Sequence, residues 1–191
     1  MDRTLKLSIA SLTFNIAFAT YYLVLGLVTS SWWLLTLGSY YLILSIVRFV
    51  VLRTKSKERI ITKFAGWMLI ILSIPLAGTV ILSVVRDRGH ELHVIVMIAM
   101  AAYAFTKISL ATINLIKARH STSTTLITLR NISFADAFVS IFALQRSMLV
   151  SFEGMTEAEI VIMNAVLGFA VCVIVFLLGL NLLKKKLLFK L

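Results

Sequence analysis

The sequence predicts an all-α, polytopic membrane protein: a bundle of six transmembrane helices with both termini on the cytoplasmic side. Three observations lead there. Of the 191 residues 60% are hydrophobic and only 14% charged, and the mean hydropathy is +1.01, whereas a soluble domain carries about 25% charged residues. The apolar excess falls in runs of about 20 residues, the length a helix needs to cross a bilayer core. Most of the charge is confined to short islands between those runs.

The runs read in order as Leu7–Thr29, Trp32–Leu52, Phe64–Val85, Val94–Ile116, Leu126–Val150 and Ile160–Leu183. The first begins after Asp2–Lys6, which resembles a signal n-region, and Ala17-Phe18-Ala19 mimics a cleavage site. Apolar sequence continues through Leu23–Val28, so an uncleaved first span is expected. The second opens on Trp32 and Trp33, which suit an outer interfacial belt, and Trp67 in the third suits an inner one. The third also holds the only proline, Pro75, which removes a ladder bond and crowds the carbonyl of Ile71. A kink is expected there, making Pro75 the candidate hinge. The intervening segments, TSS, RTKSKER, RDRGHELH, KARHSTSTT and SFEGMTEAE, are too short for a soluble domain. Residues 1–191 are therefore read as a single domain.

Orientation follows from the basic residues. With the amino terminus inside, 15 of the 19 Lys and Arg flank the inner ends, three (Arg86, Arg88, Arg146) lie outside, and Lys107 sits within a span. The net charge of +11 is thus read against an anionic leaflet rather than against nucleic acid, for which there is no motif. The lone Cys172 lies in the last run, forbids an intrachain disulfide, and reads as a small buried hydrophobe.

In lipid, helices associate through small residues and hydrogen bonds. Ser8, Ser11, Asn15, Ala19, Tyr22 and Gly26 share a face of the first span. Gly38, Tyr41 and Ser45 share one of the second, with Arg48 near its inner end. Thr62, Gly66, Ser73 and Ala77 align on the third, and Asn164, Gly168 and Gly179 on the sixth. These stripes predict tight packing.

The fifth span is different, because RNISFADAFVSIFALQR places ionisable groups inside an apolar helix. Ser133, Asp136, Ser140, Ala143 and Ser147 share a face. Arg130 and Arg146 stand near the two ends, where long side chains reach water. Asp136 is about 15 Å deep at the helical rise, too deep for its short side chain to escape. On the antiparallel fourth span Lys107 reaches nearly the same depth and shares its side with Tyr103, Ala111 and Asn114. An intramembrane Lys107–Asp136 ion pair is predicted. The candidate polar seam between helices four and five comprises Lys107, Asp136, Tyr103, Asn114, Ser133, Ser140 and Arg130.

No hydrolase, metalloprotease, P-loop or dinucleotide motif is found, and Asp136 is the only acid inside the spans. A non-enzyme without cofactor is expected. The outer loop offers His90 and His93 at i, i+3 with Asp87 and Glu91 as weak metal candidates, but it reads as a solvated loop, so no metal is expected.

Two resemblances follow from quoted segments. Arg130-Asn131-Ile132-Ser133-Phe134-Ala135-Asp136 is similar to the R-x-x-x-F-S-D signature of endolysosomal and bacterial potassium channels. Those channels carry it in a first helix; here it lies in the fifth, with Ala135 in place of Ser and no neighbouring segment assignable as a selectivity filter. Over the whole chain, SWWLLTLGSYYLILSIVRF, AYAFTKISLATINLIKAR and TLRNISFADAFVSIFALQRSMLVSF resemble a family of small six-span membrane proteins of Gram-positive, low-GC bacteria. That resemblance implies a multi-pass protein of the bacterial cytoplasmic membrane and brings no activity, substrate or partner. Two functions are then open: transport of an ion or small solute along the seam, or a non-catalytic accessory or sensor subunit. The latter acts through helix packing with a second copy or another membrane protein in the lipid bilayer.

Overall fold

The computed structural model describes residues 3–53, 58–85, 94–118, 123–151 and 155–184. Among them it is all-helical, with α1 (Arg3–Val28), α2 (Trp32–Arg53), α3 (Glu58–Val85), α4 (Val94–Ala118), α5 (Thr124–Ser151) and α6 (Glu157–Lys184). All six are long and apolar enough to cross a membrane. The largest boundary difference from the sequence reading is at α3, which starts at Glu58 rather than at Phe64. The hydrocarbon limit marks where polar residues begin, and Glu, Arg and Lys are good helix formers that carry the helix on past it.

Helix ends follow local chemistry. At the end of α1, Ser30 adopts φ 51°, Ser31 N–H donates to the Gly26 carbonyl at 3.0 Å, and Ser30 N–H donates to that of Leu27 at 3.4 Å. This is the pairing by which a left-handed residue closes a helix. Ser31 then caps α2 through its carbonyl, which accepts from Leu35 N–H. At the start of α6 the Glu159 carboxylate accepts from the Thr156 N–H and hydroxyl, both at 2.8 Å. Thr156 Oγ1 in return accepts from Glu159 N–H at 3.4 Å, completing a reciprocal cap.

α5 is the central helix. Of its membrane-length segment 67% is buried, against 28% for α1 and α4 and 22% for α6, and it packs on α2, α3, α4 and α6. α1 packs on α2 and α4, and α3 on α6. The polar stripes face inward: Ser11, Asn15, Ala19, Tyr22, Tyr41, Ser45, Thr62, Ser73 and Asn164 are all buried. The α3–α6 contact depends on small residues, because a methyl on Gly179 would stand 2.9 Å from the carbonyl oxygen of Gly66 and one on Gly66 3.0 Å from that of Gly179. Backbones this close are the general use of glycine between membrane helices.

Two aromatic and basic assignments differ from the sequence reading. Trp32 is exposed as an interfacial residue would be, but Trp33 faces inward and is 8% exposed. Arg146, expected to reach water, is 3% exposed, with its guanidinium 4.8 Å from the Trp33 ring centroid. The two explain each other: one helix position turns the indole by about 100°, and its π face then accepts the cation from α5.

Candidate functional site

The site forms where four helices present polar stripes at one level. Asp136, fully buried at the middle of α5, accepts three donors on a single oxygen. Lys107 Nζ of α4 donates to Oδ2 at 2.6 Å, Asn15 Nδ2 of α1 at 2.9 Å, and Arg48 Nη2 of α2 at 3.2 Å. Lys107 and Arg48 thereby form two ion pairs with one carboxylate, and Asp136 Oδ1 is buried without a hydrogen-bond partner.

An outer ring of hydroxyls and rings completes the cluster. Arg48 Nη1 donates to Ser11 Oγ of α1, and Nη2 reaches Ser133 Oγ of α5 at 3.3 Å. The Tyr103 hydroxyl donates to Asn15 Oδ1 at 3.2 Å, and its ring lies with its centroid 5.0 Å from Lys107 Nζ. Ser140 Oγ donates to the Asp136 carbonyl at 2.8 Å and lies 2.9 Å from the Tyr41 hydroxyl. Since the serine proton is already committed, Tyr41 is the donor of that second bond. Phe18 stacks on Tyr103 at 3.7 Å between centroids, and Tyr22 on Tyr41 at 5.8 Å. With the contact of Tyr41 on Tyr103, these rings form one continuous aromatic layer beside the cluster.

These contacts also fix helix direction. Met100 Sδ accepts from Ser147 at 3.5 Å while Lys107 meets Asp136, so α4 and α5 run antiparallel. Likewise Tyr41 meets Ser140 while Arg48 meets Ser133 and Asp136, so α2 and α5 are antiparallel too.

The structure brings together Lys107, Asp136, Tyr103, Ser133 and Ser140. It places Arg130 apart: the residue is half-buried and joins neither ion pair of the cluster. Six helical positions turn it about 120° away from Asp136. Asn114 is on α4, but its side chain lies outside those described. His90, His93, Asp87 and Glu91 lie outside the described residues altogether. Among the described residues no cluster of three metal-ligating side chains occurs. Sequence reasoning missed Arg48, Asn15 and Ser11 as members of the site. Their signal was present in the stripes of α1 and α2, which were read as packing.

Pro75 lies elsewhere. α3 continues as helix through it, and the hydroxyls of Ser73 and Thr79 on either side donate to carbonyls three residues back, both at 2.6 Å. Pro75 is exposed and borders an apolar cleft of about 70 Å³ between α2 and α3, whose lining includes Trp33, Tyr40, Leu72 and Phe142.

No protein-family model, no curated protein and no solved structure matches this chain. Its chemistry is therefore read from its own residues. The buried carboxylate, with its two cations and Asn15, ties α1, α2, α4 and α5 to one another.

Proposed function

We propose that this chain is a multi-pass protein of the bacterial cytoplasmic membrane, with both termini inside, that moves an ion or small solute along the polar seam. One observation carries the reading: a carboxylate and two cations, each at most 2% exposed, share one level inside helices of membrane-spanning length. Ionisable groups in that setting are costly and by default mark ion pathways. The seam spans α1, α2, α4 and α5 rather than the α4–α5 interface alone. The orientation rests on the 15-to-3 partition of basic residues. It survives the removal of Arg48 from the inner flank, since the remaining inner cations still far outnumber the outer ones.

The flux test uses purified protein in liposomes under imposed ion and pH gradients. Wild type conducts and Asp136→Asn does not; absence of flux for every ion and solute tried would overturn transport. Topology is tested separately in intact cells lacking Cys172. A cysteine at position 89 reacts with an impermeant thiol reagent and one at position 56 does not, and the reverse pattern would invert the orientation.

A second reading, a non-catalytic accessory or sensor subunit, is favoured by the closure of the cluster, whose two ion pairs tie α2, α4 and α5 and whose Asn15 adds α1. A partner membrane protein that co-purifies stoichiometrically, together with silent liposomes, would select it.

A further inference from the structure

The two cations on Asp136 are one too many. Arg48 alone neutralises the carboxylate, and a guanidinium keeps its proton in proteins. Among the described residues, the charged groups at Lys107 are Asp136 of α5 and Arg48 of α2, whose guanidinium shares one carboxylate oxygen with the ammonium. Tyr41 of α2 packs on the Tyr103 ring beside Lys107. Tyr103 of its own helix also faces it, and Tyr22 of α1 is stacked behind Tyr41. None of these besides Asp136 is a carboxylic acid, and Asp136 is the only Asp or Glu within the interior of the spans. The cluster thus carries a surplus positive charge in a site shut off from water, a costly state that must be relieved by an anion or by loss of a proton. Of the two cations only the ammonium can lose one.

We infer that Lys107 is a reversible proton site and that the proton is the ion carried along the seam; the second half of this rests on the transport reading above. The step involves no bond rearrangement beyond the proton itself. The ammonium gives one proton to a water or hydroxide that must enter the closed site from the adjoining phase, and keeps the N–H bond pair as a lone pair. The resulting amine still has N–H groups to donate to Asp136 Oδ2, which lies 2.6 Å away. Uptake from the opposite phase reverses the step. Two features keep the charged form accessible, the Asp136 carboxylate and the Tyr103 π face 5.0 Å from Nζ. Two oppose it, Arg48 and the closed apolar surroundings. Asp136, held by Arg48 and Asn15 in either state, serves as the fixed counter-charge.

The test follows the proton directly. In full-length protein carrying ¹⁵N-lysine in lipid bilayers, the Lys107 Nζ resonance is assigned by its disappearance in Lys107→Arg. It should pass between ammonium and amine as pH is varied across the range in which the protein is folded. In vesicles loaded with a pH-sensitive dye, Lys107→Arg and Lys107→Met both lose proton flux to the level of protein-free vesicles. Lys107→Met also serves as the folding control, because it removes the surplus charge and leaves the Arg48–Asp136 pair. An ammonium signal that persists across the whole pH range, or wild-type proton flux through folded Lys107→Arg, would overturn the inference. Titration of Lys107 in a protein that carries no ion at all would support the proton site and overturn transport instead.

Discussion

Asp136→Asn should be the most damaging single substitution in the chain. It removes the one negative charge to which Lys107 and Arg48 both point, at 2.6 and 3.2 Å, and leaves two buried cations facing each other. Breaking a buried ion pair by removing one partner costs about 3–5 kcal/mol, and here one change strands two partners. The amide is nearly isosteric, so packing is preserved and the loss reports charge. Asparagine can keep its oxygen toward the three donors and turn its N–H₂ to the side where Oδ1 has no hydrogen-bond partner, so the charge is what is lost. Thermal unfolding and folded yield in detergent should both fall sharply, and an unchanged midpoint would remove Asp136 from the role assigned to it.

Arg48→Met should have the next largest effect, and for a different reason. Arg48 is 1% exposed and among the largest fully buried side chains. Its guanidinium hydrogen-bonds from α2 to both α1, through Ser11, and α5, through Ser133 and Asp136. Methionine fills much of the volume but makes none of these bonds. Hydrogen bonds to charged groups contribute about 1.5–3 kcal/mol each, and the orphaned serine hydroxyls can fall back on carbonyls of their own helices. The net loss should therefore be about 2–3 kcal/mol, smaller than for Asp136→Asn because Lys107 still neutralises the carboxylate. Arg48→Lys should recover little, since a single ammonium lacks the planar fork that reaches two helices at once. Full recovery by lysine, measured by unfolding in detergent, would show that charge rather than geometry matters there.

The sequence carried much of this, unevenly. Six long helices were legible because length and apolarity are properties of the segment itself, whatever its neighbours. The common depth of Lys107 and Asp136 was legible because a short loop joins antiparallel helices, so counting residues from it measures depth. Arg48 was not, although it shares a face with Tyr41 and Ser45. Its place five residues from the end of α2 is equally that of a cation snorkelling to the inner surface, and only the packing of α2 against α5 decides between the two. Asn15 and Ser11 were read as packing residues for the same reason: a stripe says which side is inward but not which helix it meets. Arg130 was included because its neighbours in sequence are in the site. On a helix buried on almost every side, however, neighbouring positions serve different interfaces. Trp33 shows the same limit, since an indole at a helix end suits an interface belt until a cation from α5 is found beside it.

The central claim is that Lys107 and Arg48 share Asp136, and a stepwise charge-removal series tests it most directly. Thermal unfolding midpoints would be compared for wild type, Asp136→Asn, Asp136→Asn with Lys107→Met, and the triple variant that adds Arg48→Met. If only Lys107 and Asp136 interacted, the double variant would recover whatever neutralisation can restore, and the third change would only lose packing and hydrogen bonds. With three charges on one site, the double variant still strands Arg48, so recovery is partial and the triple variant unfolds at a higher midpoint than the double. A triple variant less stable than the double would contradict the shared site.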